Sequence, residues 1–148
     1  GKEHRMATNE EITDGIEQFY SRYIDSFNRE DIDLYLESFD LPFAVLTGER
    51  GATIFSNEAD RQNFYTQTML SVQGRGWARS AVDLVKIWLQ AENFATLMAD
   101  VTRYKKDGSV LERLRAFYTL RNNGKSWKIV TVSMANPPFT GPGDIARD

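Results

Sequence analysis

Two turn sequences in the last third of the chain bring one acidic and one basic side chain together. Residues 106–109 and 122–125 contain Asp-Gly and Asn-Gly, the dipeptides preferred in two-residue β-hairpin turns. Counting outwards from the first turn pairs Asp100 with Arg115 on one sheet face. Such a pair among apolar neighbours is either a structural clamp or the polar end of a ligand pocket, and Asp100 is a candidate catalytic acid or base.

The same count describes both sheet faces. It pairs Arg103 with Glu112 on the opposite face, and the agreement of two unlike-charge pairs supports the register. Counting from the second turn sets Tyr118 against Ile129. Because both faces are apolar and three helices cannot cover both, we expect a second copy of the chain to cover one of them. One face carries Met98, Asp100, Arg115, Phe117, Val130 and Val132, and the other carries Trp88, Leu97, Tyr118 and Trp127.

The composition excludes several kinds of chemistry. The 148 residues include no cysteine and one histidine, His4, so the chain has no cysteine nucleophile, no serine–histidine relay and no multi-histidine zinc site. We expect neither a metal nor a cofactor, because helical geometry scatters the acidic residues and the glycine pairs lack a phosphate-binding context. The net charge of -3 and the lack of a long apolar run predict a cytoplasmic protein that binds neither nucleic acid nor a membrane.

Hydrophobic periodicity predicts an α+β chain with the element order ααββαββββ. Apolar residues recur at helical spacing from Asn9 to Phe27, and Asp31 caps a second, shorter helix that Pro42 closes. A third helix starts after Ser56 or Asn57 and runs to about Val72. Strands are predicted at 43–47, 52–55, 78–89, 94–104, 110–121 and 127–134.

The predicted elements form one domain. We expect it to span residues 9–135, since the pattern contains no linker and no repeat. Residues 1–8 are expected to be a disordered lead, and residues 136–148 a tail rich in proline and glycine that cannot extend a central strand.

Two local motifs point to a known family. An aromatic residue, an asparagine and, three positions later, an aspartate occur at Phe27, Asn28 and Asp31, and residues 124–130 read Gly-x-x-Trp-x-Ile-Val. With the element order, these motifs resemble the nuclear transport factor 2-like superfamily, in particular its SnoaL-like and ketosteroid-isomerase-like branch. The resemblance covers about residues 10–135 and implies a cone, in which a strongly bent mixed or antiparallel sheet wraps around the N-terminal helices and encloses an apolar cavity.

The resemblance also implies roles for individual residues. Tyr23 matches the tyrosine of the first helix that donates a hydrogen bond to the substrate oxyanion in ketosteroid isomerases, so Tyr23 joins Asp100 as a candidate catalytic residue. The general-base aspartate of those enzymes matches Thr47, and their protonated aspartate falls near Phe117. Because threonine cannot act as a base at ordinary pH, steroid isomerisation is disfavoured.

The same match assigns the Phe117 face to the cavity and the other face to a partner subunit. We predict a homodimeric SnoaL-like protein that binds a small, largely apolar organic molecule in an internal cavity. It is either a cofactor-independent lyase, cyclase, isomerase or hydrolase, or a non-catalytic binding or association module. The candidate ligand-binding residues are Phe27, Thr47, Met98, Arg115, Phe117 and Val130, and the candidate dimer residues are Trp88, Leu97, Tyr118 and Trp127.

Overall fold

The structure is a computed structural model that describes residues 6–143 and 145–147. His4 and most of the predicted lead therefore lie outside the described residues. The element order is the predicted ααββαββββ. The helices are α1 (Asn9–Asn28), α2 (Ile32–Glu37) and α3 (Glu58–Gly74), and the strands are β1 (Phe39–Thr47), β2 (Gly51–Phe55), β3 (Trp77–Ala91), β4 (Phe94–Lys105), β5 (Val110–Asn122) and β6 (Trp127–Ala135).

Side-chain caps fix where the shorter helices begin. The carboxylate of Asp31 accepts a hydrogen bond from the backbone N–H of Leu34 (3.2 Å) at the start of α2. Asn57 accepts one from the backbone N–H of Asp60 (3.0 Å) at the start of α3. Both caps satisfy N–H groups that have no partner within the helix, as the sequence predicts.

The six strands form one mixed sheet in the order β2-β1-β6-β5-β4-β3. The strands β1 and β6 run parallel, whereas the other neighbouring pairs are antiparallel. β2 and β3 are the two edges, so the sheet does not close. The bent sheet wraps around the N-terminal helix, which confirms the predicted α+β cone.

The helix α1 packs against the concave face of the sheet. The alanines on this face are at most 1% exposed, and their small side chains leave room for the larger side chains under the helix. Among the strands, β3 lies nearest to the helix. The buried side chains of α1 belong to Ile16, Phe19, Tyr20, Tyr23, Ser26 and Phe27, and the alanines are Ala95, Ala99 and Ala116.

The loop between β4 and β5 is one residue longer than predicted. The backbone N–H of Lys105 donates to the carbonyl oxygen of Ser109 (2.8 Å), which leaves residues 106–108 in the loop. Gly108 adopts a φ of 88°, a conformation that costs glycine little. The predicted two-residue turn is therefore wrong.

A β-bulge at Leu111 compensates for the longer loop. Arg103 pairs with Glu112, although Tyr104 next to it pairs with Val110, so Leu111 is the extra residue on β5. The two one-residue shifts cancel. The predicted pairing of Asp100 with Arg115 is confirmed.

The loop between β5 and β6 is longer than predicted as well. The backbone N–H of Asn123 donates to the carbonyl oxygen of Ser126 (3.1 Å). The side-chain oxygen of Asn123 accepts from the N–H groups of Lys125 (2.9 Å) and Ser126 (3.0 Å). The asparagine thus stabilises a loop over residues 123–126 in place of a two-residue turn.

The longer loop shifts the register of β6. Leu120 pairs with Ile129, and a second bulge at Val130 sets Val132 opposite Tyr118. The prediction that paired Tyr118 with Ile129 is wrong. As a result, Val132 lies on the concave face of the sheet with Tyr118.

Candidate functional site

A cavity of about 380 Å³ lies between the three helices and the concave face of the sheet. Its volume is within the range of about 300–1,000 Å³ that is common for small-molecule sites. Aromatic rings form much of its wall, and hydroxyl groups and one guanidinium supply the polar side chains. The aromatic lining residues are Tyr23, Phe27, Tyr35, Phe64 and Tyr118, and the polar ones are Thr47, Thr68, Ser80, Arg103 and Ser133.

Four buried tyrosines form a cluster beside this cavity, and Tyr23, Tyr35 and Tyr118 of this cluster line it. The hydroxyl oxygens of Tyr20 and Tyr118 lie 3.2 Å apart and share a hydrogen bond. The ring of Tyr23 stacks on Tyr35, with 5.3 Å between the ring centroids, and meets Tyr118 edge-on at 6.0 Å. Helix α1 supplies two of these tyrosines, and α2 and β5 supply one each.

Burial keeps these hydroxyls protonated. It raises the pKa of Tyr23, and interactions with the hydroxyls of Tyr35 and Tyr118 oppose the rise without cancelling it. Burial also raises the pKa of Tyr35 and Tyr118 well above the ordinary value for tyrosine. At neutral pH the tyrosines are therefore hydrogen-bond donors and cannot serve as bases.

Arg103 is the only charged side chain among the described residues that line the cavity. Its Nη1 donates to Oε2 of Glu112 (3.0 Å), and Nη1 of Arg75 lies 2.7 Å from the same oxygen. Burial acts to raise the pKa of Glu112, but the two guanidinium groups outweigh it and hold the pKa below its ordinary value. The carboxylate is therefore ionised at neutral pH.

Asn28 connects the end of α1 to the cavity wall. Its side-chain amide donates to the carbonyl oxygen of Ser80 (2.9 Å) and accepts from the N–H of the same residue (2.8 Å). The hydroxyl of Ser80 in turn accepts from Nε1 of Trp77 (2.9 Å), whose ring packs on Phe27. The asparagine of the Phe27–Asp31 motif thus pairs backbone groups of β3, the edge strand, that β4 does not reach.

Three of the predicted site residues line the cavity. Tyr23 and Phe27 project into it from α1, where their helical spacing puts them on the face that packs against the sheet. Thr47 lies at the exposed end of β1, at the cavity rim. Its hydroxyl oxygen accepts a hydrogen bond from the backbone N–H of Arg50 (3.0 Å).

The predicted acid–base pair lies on the other side of the sheet. Nε and Nη2 of Arg115 donate to the two carboxylate oxygens of Asp100, at 2.6 and 3.0 Å. This hydrogen bonding lowers the pKa of Asp100, which makes the carboxylate a weaker base. Neither residue lines the cavity, so the prediction that this pair forms its polar end is wrong.

The C-terminal segment packs on the same pair. The guanidinium of Arg115 lies over the ring of Phe139, 4.7 Å from its centroid, a cation–π contact. Residues after β6 therefore cross the convex face of the sheet. In this position the Asp100–Arg115 pair has the geometry of the structural clamp.

The other predicted ligand-binding residues lie away from the cavity too. Phe117 is 40% exposed on the convex face, and Met98 pairs with it there. Val130 is at the bulge of β6. The predicted assignment of the two sheet faces is reversed, because α1 packs against the alanine-containing face.

The reversal also moves three of the predicted dimer residues into the core. Leu97, Tyr118 and Trp127 are at most 8% exposed and belong to the core that packs under the helices. Trp88 is different, since it pairs with Thr96 on the convex face and is 51% exposed.

The cavity residues that were not predicted as ligand-binding include Tyr35, Ser80, Arg103 and Tyr118. The sequence signal for Arg103 was present, because the strand count paired it with Glu112 on the face opposite to Asp100. If the face that carries Arg103 and Glu112 had been recognised as the inner one, both Arg103 and Tyr118 would have been predicted to line the cavity. Tyr35 was placed on α2 without a site role.

Among the described residues, no group of three or more His, Cys, Asp or Glu side chains is arranged to hold a metal ion. In the same part of the chain, no helix is both long and apolar enough to cross a bilayer.

Solved structures with this fold are numerous. A protein with a cystatin-like fold from Nostoc punctiforme superimposes with a TM-score of 0.68 at 17% identity, over 90% of this chain and 96% of that one. A ketosteroid isomerase-like protein from Erwinia carotovora atroseptica gives a TM-score of 0.65 at 20% identity, over 88% and 98%. An NTF2-like protein with a cystatin-like fold from Novosphingobium aromaticivorans gives 0.68 at 14%, over 88% and 85%. At these identities the similarity establishes the fold alone.

Sequence comparison gives the family. No curated protein matches the chain significantly. The family described as NTF2-like protein (DUF6841) matches residues 10–137, which is most of the chain and includes every strand of the sheet. The chain belongs to this NTF2-like family, as the Phe27–Asp31 and 124–130 motifs predict.

Proposed function

We propose that this protein binds a small, largely apolar organic molecule that carries a hydrogen-bond-accepting oxygen. The observation that carries the proposal is the cavity of about 380 Å³, whose aromatic wall contains several protonated tyrosine hydroxyls. An apolar wall with a few convergent polar groups is the usual form of a small-molecule site. The rings would hold the body of the ligand, and the hydroxyls would hold its oxygen.

Tyr23 is the best candidate for the donor to that oxygen. The hydroxyls of Tyr35 and Tyr118 act to lower the pKa of Tyr23 against the effect of burial, so they lie near the Tyr23 oxygen. The hydroxyl of Tyr118 shares its hydrogen bond with Tyr20 (3.2 Å), which leaves the proton of Tyr23 available to a ligand. Tyr23 would then stabilise partial negative charge on the ligand oxygen.

The lining residues limit the chemistry that we propose. Abstraction of a proton beside a carbonyl requires a base within hydrogen-bond reach. Among the described lining residues there is no aspartate, glutamate or histidine. We therefore propose binding, and a cofactor-independent lyase, cyclase, isomerase or hydrolase reaction would need a base from outside this set.

The cavity is tested by filling it. Thr68 is half-buried on α3 and lines the cavity, so in a Thr68→Trp variant the indole would occupy space that a ligand needs. We expect the wild-type protein to bind the neutral carbonyl probe 2-naphthamide with a stoichiometry of about one. The variant should bind it at least about tenfold more weakly. Isothermal titration calorimetry measures both values.

Gln67→Trp is the matched control, because Gln67 is the neighbouring residue on α3 and its side chain is exposed. It should bind 2-naphthamide as the wild-type protein does. Equal binding by the two tryptophan variants would mean that the probe binds outside the cavity. No binding to the wild-type protein would contradict the proposal directly.

We also propose that the convex face of the sheet forms a homodimer interface. Its exposed apolar side chains are Leu84, Trp88 and Phe117, each at least 40% exposed. Large apolar side chains exposed on one face of a sheet are common at association sites, and a second copy of the chain is the simplest partner for a closed assembly. The dimer is thus proposed on the convex face, where Trp88 remains from the predicted set.

Trp88→Glu should convert the proposed dimer to a monomer, since a central tryptophan often dominates an interface and a buried carboxylate without a partner is costly. Sedimentation velocity measures the change. Leu70→Glu is the control, because Leu70 is 61% exposed on α3, away from the sheet. A wild-type monomer, or a Trp88→Glu dimer, would show that this face is not the interface.

A further inference from the structure

Three charged side chains meet at the end of the cavity where α3 joins β3. Glu112 is shared by two arginines, with Oε2 at 3.0 Å from Nη1 of Arg103 and 2.7 Å from Nη1 of Arg75. Two positive charges face one negative charge, so one positive charge is not compensated. A second anionic group at this place would balance the remaining positive charge.

Arg103 is the member of this group that faces the cavity. Its side chain is 12% exposed, whereas that of Arg75 is 46% exposed. Within the described part of the chain, Nε and Nη2 of Arg103 donate to no protein acceptor, and its side-chain hydrogen bond runs from Nη1 to Glu112. Neither nitrogen is among the fully buried donors that lack a partner, so both keep contact with solvent and are free to donate to a ligand oxygen.

The guanidinium and the tyrosine hydroxyls share one electrostatic environment. Burial raises the pKa of Tyr20, Tyr23 and Tyr35, and the positive charge of Arg103 opposes the rise at each of them. The positive charge of Arg103 therefore lies close enough to these hydroxyls to act on them. An anionic ligand in the cavity would meet the guanidinium of Arg103 and the hydroxyl donors of Tyr23 and Tyr35, which all line it.

We infer that the ligand of this cavity is a small aromatic acid that binds as its carboxylate, with Arg103 as the residue that recognises the charge. A carboxylate is stable in such a site only when it is paired, and a guanidinium offers planar donors that match it. The rings of Phe27, Tyr35 and Phe64 favour an aromatic body. The inference rests on the proposed function, because it names the chemical class of the molecule bound.

A pair of probes that differ in charge tests this inference. 2-Naphthoate and 2-naphthamide share one ring system, and only naphthoate is charged at pH 7. Titration calorimetry on the wild-type protein is expected to give a Kd for naphthoate about tenfold lower or more, as for a hydrogen bond to a charged group. Arg103→Met should raise the Kd for naphthoate by about the same factor and change the Kd for naphthamide by less than about threefold.

Two further variants sharpen the test. Arg113→Met is the matched control, because Arg113 is exposed on β5 and should affect neither probe. Glu112→Gln removes the negative charge beside Arg103. It should lower the Kd of naphthoate by about threefold or more without lowering that of naphthamide. This variant carries the test if Arg103→Met does not fold.

The outcomes separate this inference from the proposed function. Equal affinity of the wild-type protein for the two probes would overturn the inference and leave cavity binding in place. A preference for naphthoate that survives Arg103→Met, or a Glu112→Gln variant with unchanged affinity, would overturn it as well. If neither probe binds the wild-type protein, the proposed function fails together with the inference.

Discussion

Replacing Phe39 with alanine is expected to lower the free energy of unfolding by about 3–5 kcal/mol. The side chain is 1% exposed at the start of β1. Its ring centroid lies 4.7 Å from that of Phe43, 5.2 Å from Tyr35 and 5.7 Å from Tyr23. The three neighbouring rings are held by their contacts with further side chains, so they cannot move into the space that the truncation leaves. Urea unfolding at a fixed protein concentration measures the loss.

Phe117→Ala, compared with Phe39→Ala in the Trp88→Glu background in which the proposed dimer is broken, is the matched control, since the same atoms are removed from a side chain that is 40% exposed on the convex face of the single chain. We expect a loss of less than about 1.5 kcal/mol, because much of the apolar area is already in water. Similar losses for the two variants would contradict the assignment of Phe39 to the core and Phe117 to the outer surface.

Replacing Asn28 with alanine is expected to cost about 2–4 kcal/mol, because each buried backbone group left without a partner costs about 1–3 kcal/mol. Its amide pairs both the N–H and the carbonyl oxygen of Ser80, at 2.8 and 2.9 Å. The variant leaves both groups unpaired on an edge strand. Urea unfolding gives the stability, and hydrogen exchange at the Ser80 amide should lose its protection.

Asn63→Ala serves as the control for this variant, because Asn63 is exposed on α3 and its loss should cost less than about 0.5 kcal/mol. An Asn28→Ala protein as stable as Asn63→Ala, with the Ser80 amide still protected, would show that the edge of β3 does not depend on the asparagine. The motif of Phe27, Asn28 and Asp31 would then need another physical explanation.

The element order followed from local patterns that tertiary packing reinforces. The stripe on α1 has helical spacing and is buried as a single face, and Asp31 and Asn57 cap helices by contacts within a few residues. Such signals lie within the window that sequence periodicity describes. The nine elements therefore agree with the predicted order.

The choice of the inner face did not follow from local patterns. Both faces of β4 and β5 contain apolar residues, and hydrophobicity alone does not rank them. The decisive difference is size and polarity. The concave face carries Ala95, Ala99 and Ala116, which admit a helix, whereas the convex face carries Thr96 and Thr119 between its apolar residues. This contrast was readable in the sequence once the register was counted.

The cavity residues Tyr23 and Phe27 on α1 were predicted correctly, whereas those on β4 and β5 were missed. Tyr23 and Phe27 line the cavity because their position on α1 fixes their direction. Asp100 and Arg115 were paired correctly but assigned to the wrong face, and Arg103 was excluded for the same reason. The Asn-Gly dipeptide did not predict the register of β6 correctly, because the side chain of Asn123 stabilises a longer loop through its own hydrogen bonds.

The bulge at Leu111 has a consequence for insertions and deletions in this hairpin. The loop has one residue more than a two-residue turn, and β5 has one extra residue, Leu111. The two insertions together decide which side chains of β5 beyond Glu112 face the helices. Removing a residue from the loop alone would turn Leu114 and Tyr118 away from the helices. Removing one from both places would restore their orientation, so these two positions are coupled although neither lies in the cavity wall.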